Sequence, residues 1–100
     1  MDMKKVLVNF EIPNFTPDQY DKVWDELRRT GHESPQGLIT HAGAQSDRAF
    51  VVFDVWESEE AFREFGKTLM PLLTKHGVTQ VQPRILPLRY MYNGKTKVMS

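Results

Sequence analysis

Two hydrophobic periods alternate along the chain. From Val6 to Ile12 an apolar residue falls at every second position (Val6, Val8, Phe10, Ile12), which predicts a half-buried strand ended by Pro13. The period then changes. Tyr20, Val23, Trp24 and Leu27 recur at i, i+3, i+4 and i+7 and predict an amphipathic helix. Its start is written in Thr16-Pro17-Asp18-Gln19. Thr16 can cap the first turn, Pro17 gives up an N–H that would be unpaired there anyway, and Gln19 completes a capping box. Phe15 and Tyr20 stand where a hydrophobic staple closes. Arg28 and Arg29 suit the negative end of the helix, and Gly31 suits its left-handed cap.

Beyond a polar loop from His32 to Gln36, the stretch Gly37–Ala44 predicts a second strand, and Gln45–Arg48 its turn. Ala49–Trp56 is almost wholly apolar, the pattern of a central strand. Ser58 caps a second helix, with Glu59 and Glu60 in its favourable first turn. Phe62, Phe65, Leu69, Leu72, Leu73 and His76 share one face of it; Pro71 predicts a kink, and Gly77 an end. Val81–Tyr92 predicts a fourth strand, which Pro83 and Pro87 confine to an edge. The order β-α-β-β-α-β with right-handed crossovers is an α+β, ferredoxin-like arrangement. It predicts a four-stranded antiparallel sheet, strands one and three central, with two helices on one face. Residues 1–93 are expected to form a single domain, and 94–100 a flexible C-terminal tail.

Two helices cover one sheet face, yet the third strand is apolar on both. Val51, Phe53 and Val55 fall on one side, Phe50, Val52 and Trp56 on the other. Val52, Asp54 and Trp56 are assigned to the uncovered side, with Leu86, Leu88 and Tyr90 of the fourth strand. Such a patch exceeds what soluble monomers tolerate, and the expectation is a homodimer formed through it. Burying ~600 Å² at ~25 cal/mol/Å² is worth about 15 kcal/mol before association costs. The plainer alternative has the C-terminal tail covering Trp56.

Composition narrows the partners. Thirteen Lys and Arg balance thirteen Asp and Glu, so the basic excess of a nucleic-acid or anionic-membrane binder is missing. An RNA-binding sheet of this topology would also need exposed aromatics on its first strand, where Leu7, Asn9 and Glu11 stand. Neither nucleic acid nor membrane is an expected partner. Without cysteine there is no disulfide framework, thiolate zinc site or cysteine nucleophile. No apolar run approaches the ~18–20 residues of a membrane span, and no signal-peptide core follows the first residues, so the expected location is the cytoplasm.

Few residues can carry chemistry. His41 sits mid-strand among Ile39, Ala42 and Gly43, and a neutral imidazole there could act as a general base. A three-residue hairpin loop sets it opposite Phe53 and toward the helices; a two- or four-residue loop sets it opposite Val52 on the dimer side. The alternative is a core histidine bonded to a backbone carbonyl or to Asp54. Asp54, as a buried carboxylate, needs a partner, with Arg84 or Arg89 of either subunit as candidates. Tyr20, Trp24, Phe53, Phe65 and Leu69, with Asn9, are expected to line a slot for a hydrophobic small molecule, although aromatics at helical spacing also build plain core. His32, His41 and His76 lack metal-ligand spacing, and phosphate cradles and Gly-x-Ser-x-Gly elbows are absent, so neither metal nor cofactor is expected.

The element order, the junction Val55-Trp-Glu-Ser-Glu-Glu-Ala-Phe62 and the strand Gly37-Leu-Ile-Thr-His41 resemble the dimeric α/β-barrel superfamily, and within it small domains similar to antibiotic-biosynthesis monooxygenases. The resemblance spans roughly residues 5–92 and its motifs are structural more than catalytic. It implies a homodimer whose sheets form a barrel, with a pocket between sheet and helices in each subunit. Relatives include cofactor-free oxygenases of aromatic polyketides and haem-degrading enzymes. The haem-degrading members use a first-strand asparagine, a second-helix tryptophan and a second-helix histidine as iron ligand. Asn9 and His76 lie near such places, but Phe65 stands where the tryptophan belongs, which argues against haem chemistry. Asn9, Trp24 and Tyr20 suit the polyketide-oxygenase chemistry without matching a motif. The implied activity is that of a cofactor-free monooxygenase acting on a hydrophobic or aromatic small molecule, with His41 as base or orienting group. The alternative is a non-catalytic, dimeric ligand-binding or regulatory module.

Overall fold

A computed structural model describes residues 4–92 of the protein; the tail expected over 94–100 lies outside the described residues. Six elements follow one another: β1 (Val6–Pro13), α1 (Pro17–Arg29), β2 (Leu38–Gln45), β3 (Ala49–Trp56), α2 (Glu59–Lys75) and β4 (Arg84–Pro87). The four strands form one antiparallel sheet in the order β2-β3-β1-β4, with β3 and β1 central. This is the α+β, ferredoxin-like arrangement expected from the alternation of periods.

The helix starts form as their sequences direct. The Thr16 hydroxyl accepts from the Gln19 N–H at 3.1 Å, and the Gln19 side chain accepts from the Thr16 N–H at 2.9 Å, closing the capping box. Ser58 caps α2 by accepting from the Ala61 N–H at 3.1 Å. The two helices are clasped at one end by Glu26. Its carboxylate accepts from Lys75 Nζ at 2.6 Å and lies 3.2 Å from His76 Nε2, and these hydrogen bonds hold its carboxyl below the usual 4.5. Gln19 adds a bond to the His76 carbonyl at 3.0 Å.

Val6, Val8, Phe10 and Ile12 of β1 all face the helices and are buried. Directly paired residues of an antiparallel ladder share a face. Val8 pairs with Asp54, Phe10 with Val52 and Val6 with Trp56, so these β3 side chains also point at the helices. The expected assignment of faces on β3 is therefore reversed: Val52, Asp54 and Trp56 belong to the core, not to the uncovered side. Trp56 is fully buried, edge-on to Phe62 at 5.7 Å between ring centres and tilted against Phe65 at 5.6 Å. The physical reason is size, since the indole gains most from the helix-covered side. Phe53, expected in the pocket, is 46% exposed on the bare face together with Val51 and Leu7.

Three further expectations change in detail. The β2–β3 hairpin turns one residue later than expected, with the Ser46 N–H bonded to the Ala49 carbonyl at 2.8 Å, and β2 carries an irregularity between Leu38 and Thr40. His41 consequently pairs with Asp54, neither with Phe53 nor with Val52. β4 is four residues long and bounded by its prolines, so Leu88 and Tyr90 lie past its end; Leu86 is on the bare face opposite Leu7, and Tyr90 is exposed. Pro71 stands inside α2 as expected, on its exposed side.

Gly37 shows why β2 can approach α2 so closely. Its φ is +90°, in the left-handed region, and a Cβ there would lie 2.7 Å from the Ala61 Cβ.

Candidate functional site

Between the helices and the sheet lies a partly enclosed cavity of about 40 Å³. Its walls are apolar, with Val23 and Leu27 from α1, Leu69 from α2 and Trp56 from β3, except at one corner where His41, Asp54 and Tyr20 meet.

The corner is a chain of hydrogen bonds. Trp56 Nε1 donates to Asp54 Oδ2 at 3.2 Å, His41 Nδ1 lies 2.5 Å from Asp54 Oδ1, and His41 Nε2 lies 2.6 Å from the Tyr20 hydroxyl. An ionised carboxylate only accepts, so the imidazole proton belongs on Nδ1 and Nε2 is left to accept from the Tyr20 O–H. Burial pushes the Tyr20 phenol above its ordinary 10.0, reinforced by the Asp54 and Asp21 carboxylates, so it carries its proton at neutral pH. Asp54 is buried and thereby partnered twice within its own chain; the expected pairing with Arg84 or Arg89 is not formed.

Local sequence holds these groups in place. Tyr20 stands on the first turns of α1 and packs on Phe50 at 4.4 Å between ring centres. Both rings lean over Gly43, where a Cβ would come within 2.9 Å of the Phe50 ring and 3.2 Å of Tyr20 Cζ. The missing side chain lets the phenol reach His41 two residues along the same strand. Trp24, one turn beyond Tyr20, meets the His41 ring edge-on at 5.1 Å.

Outside this corner an open depression of about 570 Å³ is lined by Tyr20, Asp21, Trp24, Asp25, Arg28 and His41. Tyr20, Trp24 and His41 line both spaces, so the two adjoin at these side chains. Arg28 is ion-paired with Asp25 at the outer rim.

Of the residues expected at the site, the structure brings together His41, Tyr20, Trp24, Phe65 and Leu69. Asn9 is elsewhere: it lies on the bare face and donates from Nδ2 to the Val52 carbonyl at 3.0 Å. Phe53 shares that face. The His41–Asp54 bond is the alternative the sequence offered for His41. Missing from the sequence reading are Trp56 as part of the hydrogen-bonded corner, which only the cross-strand register could have revealed, and Arg28 at the mouth. The donor set for haem does not converge, because Asn9 is on the far face and His76 is bonded to Glu26 at the end of α2. Among the described residues no three His, Asp or Glu side chains come together as a metal site requires, and no helix is long and apolar enough to cross a membrane.

No family model matches the chain, and no curated protein does either. Solved structures do. SnoaB, a cofactor-independent oxygenase from Streptomyces nogalater, superposes with a TM-score of 0.61 at 18% identity, over 89% of this chain and 96% of that one. A monooxygenase from the gene ActVA-Orf6 of Streptomyces coelicolor, in complex with the ligand Nanaomycin D, gives 0.60 at 16% identity, over 93% and 94%. A dimeric ferredoxin-like protein from an uncultured marine organism gives 0.55 at 16% identity, over 92% and 94%. The likeness runs the length of the chain, and this protein shares the α+β, ferredoxin-like fold of these structures.

Proposed function

We propose that the protein is a cofactor-free, monooxygenase-like enzyme that acts as a homodimer on a hydrophobic aromatic small molecule, with His41 as its base. The observation that carries this reading is His41 itself, oriented from behind by Asp54 and bonded in front to Tyr20. A carboxylate behind an imidazole fixes its tautomer and stabilises the imidazolium formed when it takes a proton. The oxygenases among the similar structures support the reaction class.

The cavity of about 40 Å³ is too small for an aromatic ring system, so the substrate belongs in the outer depression, against Trp24 and Tyr20. An acidic methylene between two activating aromatic groups loses a proton to His41, directly or with Tyr20 passing its own proton on. The substrate carbanion then reacts with dioxygen. One oxygen atom becomes the new carbonyl, the other leaves as water with the two methylene hydrogens, and no outside reductant is needed. Excluding water from the inner wall strengthens the Asp54–His41 interaction during this step.

The bare sheet face supports the homodimer. It presents Phe53 and Leu86, 46% and 38% exposed, and Leu88 and Tyr90 follow at its margin. Glu11 and Arg84 stand on the same face with no ion-pair partner among the described residues, available to pair across a two-fold axis.

The small volume of the inner cavity also favours a second reading, a non-catalytic module that binds a small ligand. Oxygen uptake with an anthrone-type substrate separates the two. Uptake that the His41→Ala variant loses supports the enzyme; equal rates in both proteins remove His41 from the account. A thermal shift by the aromatic compound without oxygen uptake supports the module, since a ligand at 100 times its Kd adds ~2.7 kcal/mol of stability.

A further inference from the structure

We infer that the inner cavity is a dioxygen site, separate from the place of the aromatic substrate; the inference rests on the oxygenase reading above. Three observations lead to it. The first is volume. About 40 Å³ holds a diatomic gas or one or two waters, and nothing with a ring.

The second is chemistry. A water inside a protein needs roughly 2–4 polar partners to stay. The polar groups at the corner have their donors committed: Trp56 Nε1–H and His41 Nδ1–H to Asp54, and the Tyr20 O–H to His41. No buried side-chain polar atom among the described residues lacks a partner that a water could satisfy. The remaining wall is Val23, Leu27, Leu69 and their apolar neighbours. Such a space favours an apolar gas over water, because the gas forfeits no hydrogen bonds on entering.

The third is position. Tyr20, Trp24 and His41 line both this cavity and the outer depression, so a gas molecule inside lies next to the residue that takes the substrate's proton. Dioxygen held there meets the carbanion as it forms, from the apolar inner side of His41.

Xenon, an apolar gas atom, probes the cavity without any substrate. Crystals of the wild-type protein under xenon pressure should show a xenon atom between Val23, Leu27, Trp56 and Leu69. Ordered water there, or xenon bound only elsewhere, overturns the proposal, even if the protein consumes oxygen normally. The variant Val23→Ile adds one methylene to the wall. It should lose the xenon site and raise the KM for dioxygen about tenfold relative to the KM for the aromatic substrate. Equal changes in both KM values overturn the assignment. Xenon in the cavity of a protein that takes up no oxygen with any aromatic substrate overturns the oxygenase reading, and dioxygen as the occupant with it.

Discussion

His41 and Asp54 stand directly opposite each other on β2 and β3, with Nδ1 2.5 Å from Oδ1. Once the hairpin fixes the register, ladder pairing sets the two side chains side by side. Replacing Asp54 by Asn keeps the shape but removes the charge that stabilises an imidazolium. Oxygenase turnover should fall by about 10²–10⁴ while the fold persists. Asp54→Ala should in addition lose about 1–3 kcal/mol of stability in urea, since the His41 and Trp56 N–H groups are left without an acceptor. Full activity in Asp54→Asn would remove the pair from catalysis and leave it a structural bond.

This pair is only half legible in the sequence. The strand and helix periods, the Thr16 capping box, the Ser58 cap and the edge position of β4 are local signals, and each formed as read. The faces of β3 are not local. Phe53 and Trp56 are both large and apolar, so alternation alone cannot say which turns inward, and a shift of one residue exchanges them. The turn at Ser46–Ala49 decides the register from Gln45 to Thr40, and with it His41's partner. Tyr20, Trp24, Phe65 and Leu69 were readable as site residues because helical spacing projects them to one side whatever the sheet does.

Gly43 tests how tightly the site is held. In an open strand Gly→Ala is neutral or stabilising. Here the added methyl would lie 2.9 Å from the Phe50 ring and 3.2 Å from Tyr20 Cζ. Gly43→Ala should therefore cost about 1–3 kcal/mol by crowding and move Tyr20 off His41. Urea unfolding and oxygen uptake should both register it. A variant as stable and as active as the parent would mean that the two rings can retreat freely.

Phe53 and Trp56 make opposite predictions from the same strand. Trp56 is fully buried and Phe53 is 46% exposed. Trp56→Ala should lose about 3–5 kcal/mol, a large share of the roughly 5–15 kcal/mol that holds a domain folded. Phe53→Asp should leave far-UV circular dichroism unchanged and act on assembly. Light scattering should report twice 11.6 kDa for the parent and a shift toward 11.6 kDa for the variant. A parent protein that scatters as 11.6 kDa at micromolar concentration would end the homodimer proposal.

Tyr20 supplies a pH signature. Its phenol is held above 10.0 chiefly by burial, so the folded state keeps a proton that the unfolded chain gives up near pH 10. A group raised in this way contributes its stability in full below pH 10, and the contribution fades as pH rises through the folded value. The parent should therefore lose stability on the alkaline side more steeply than Tyr20→Phe, which has no phenol to ionise; the two urea midpoints should converge as the pH climbs past 10. In catalysis the same variant separates two routes for the proton. If Tyr20 passes the proton to His41, removing its hydroxyl lowers kcat and leaves His41 without its 2.6 Å partner. If the substrate displaces the phenol and meets Nε2 directly, Tyr20→Phe frees that nitrogen and kcat holds or rises. Parallel alkaline stability curves for parent and variant would show that the phenol ionises alike in both states, and would remove burial as a constraint on its proton.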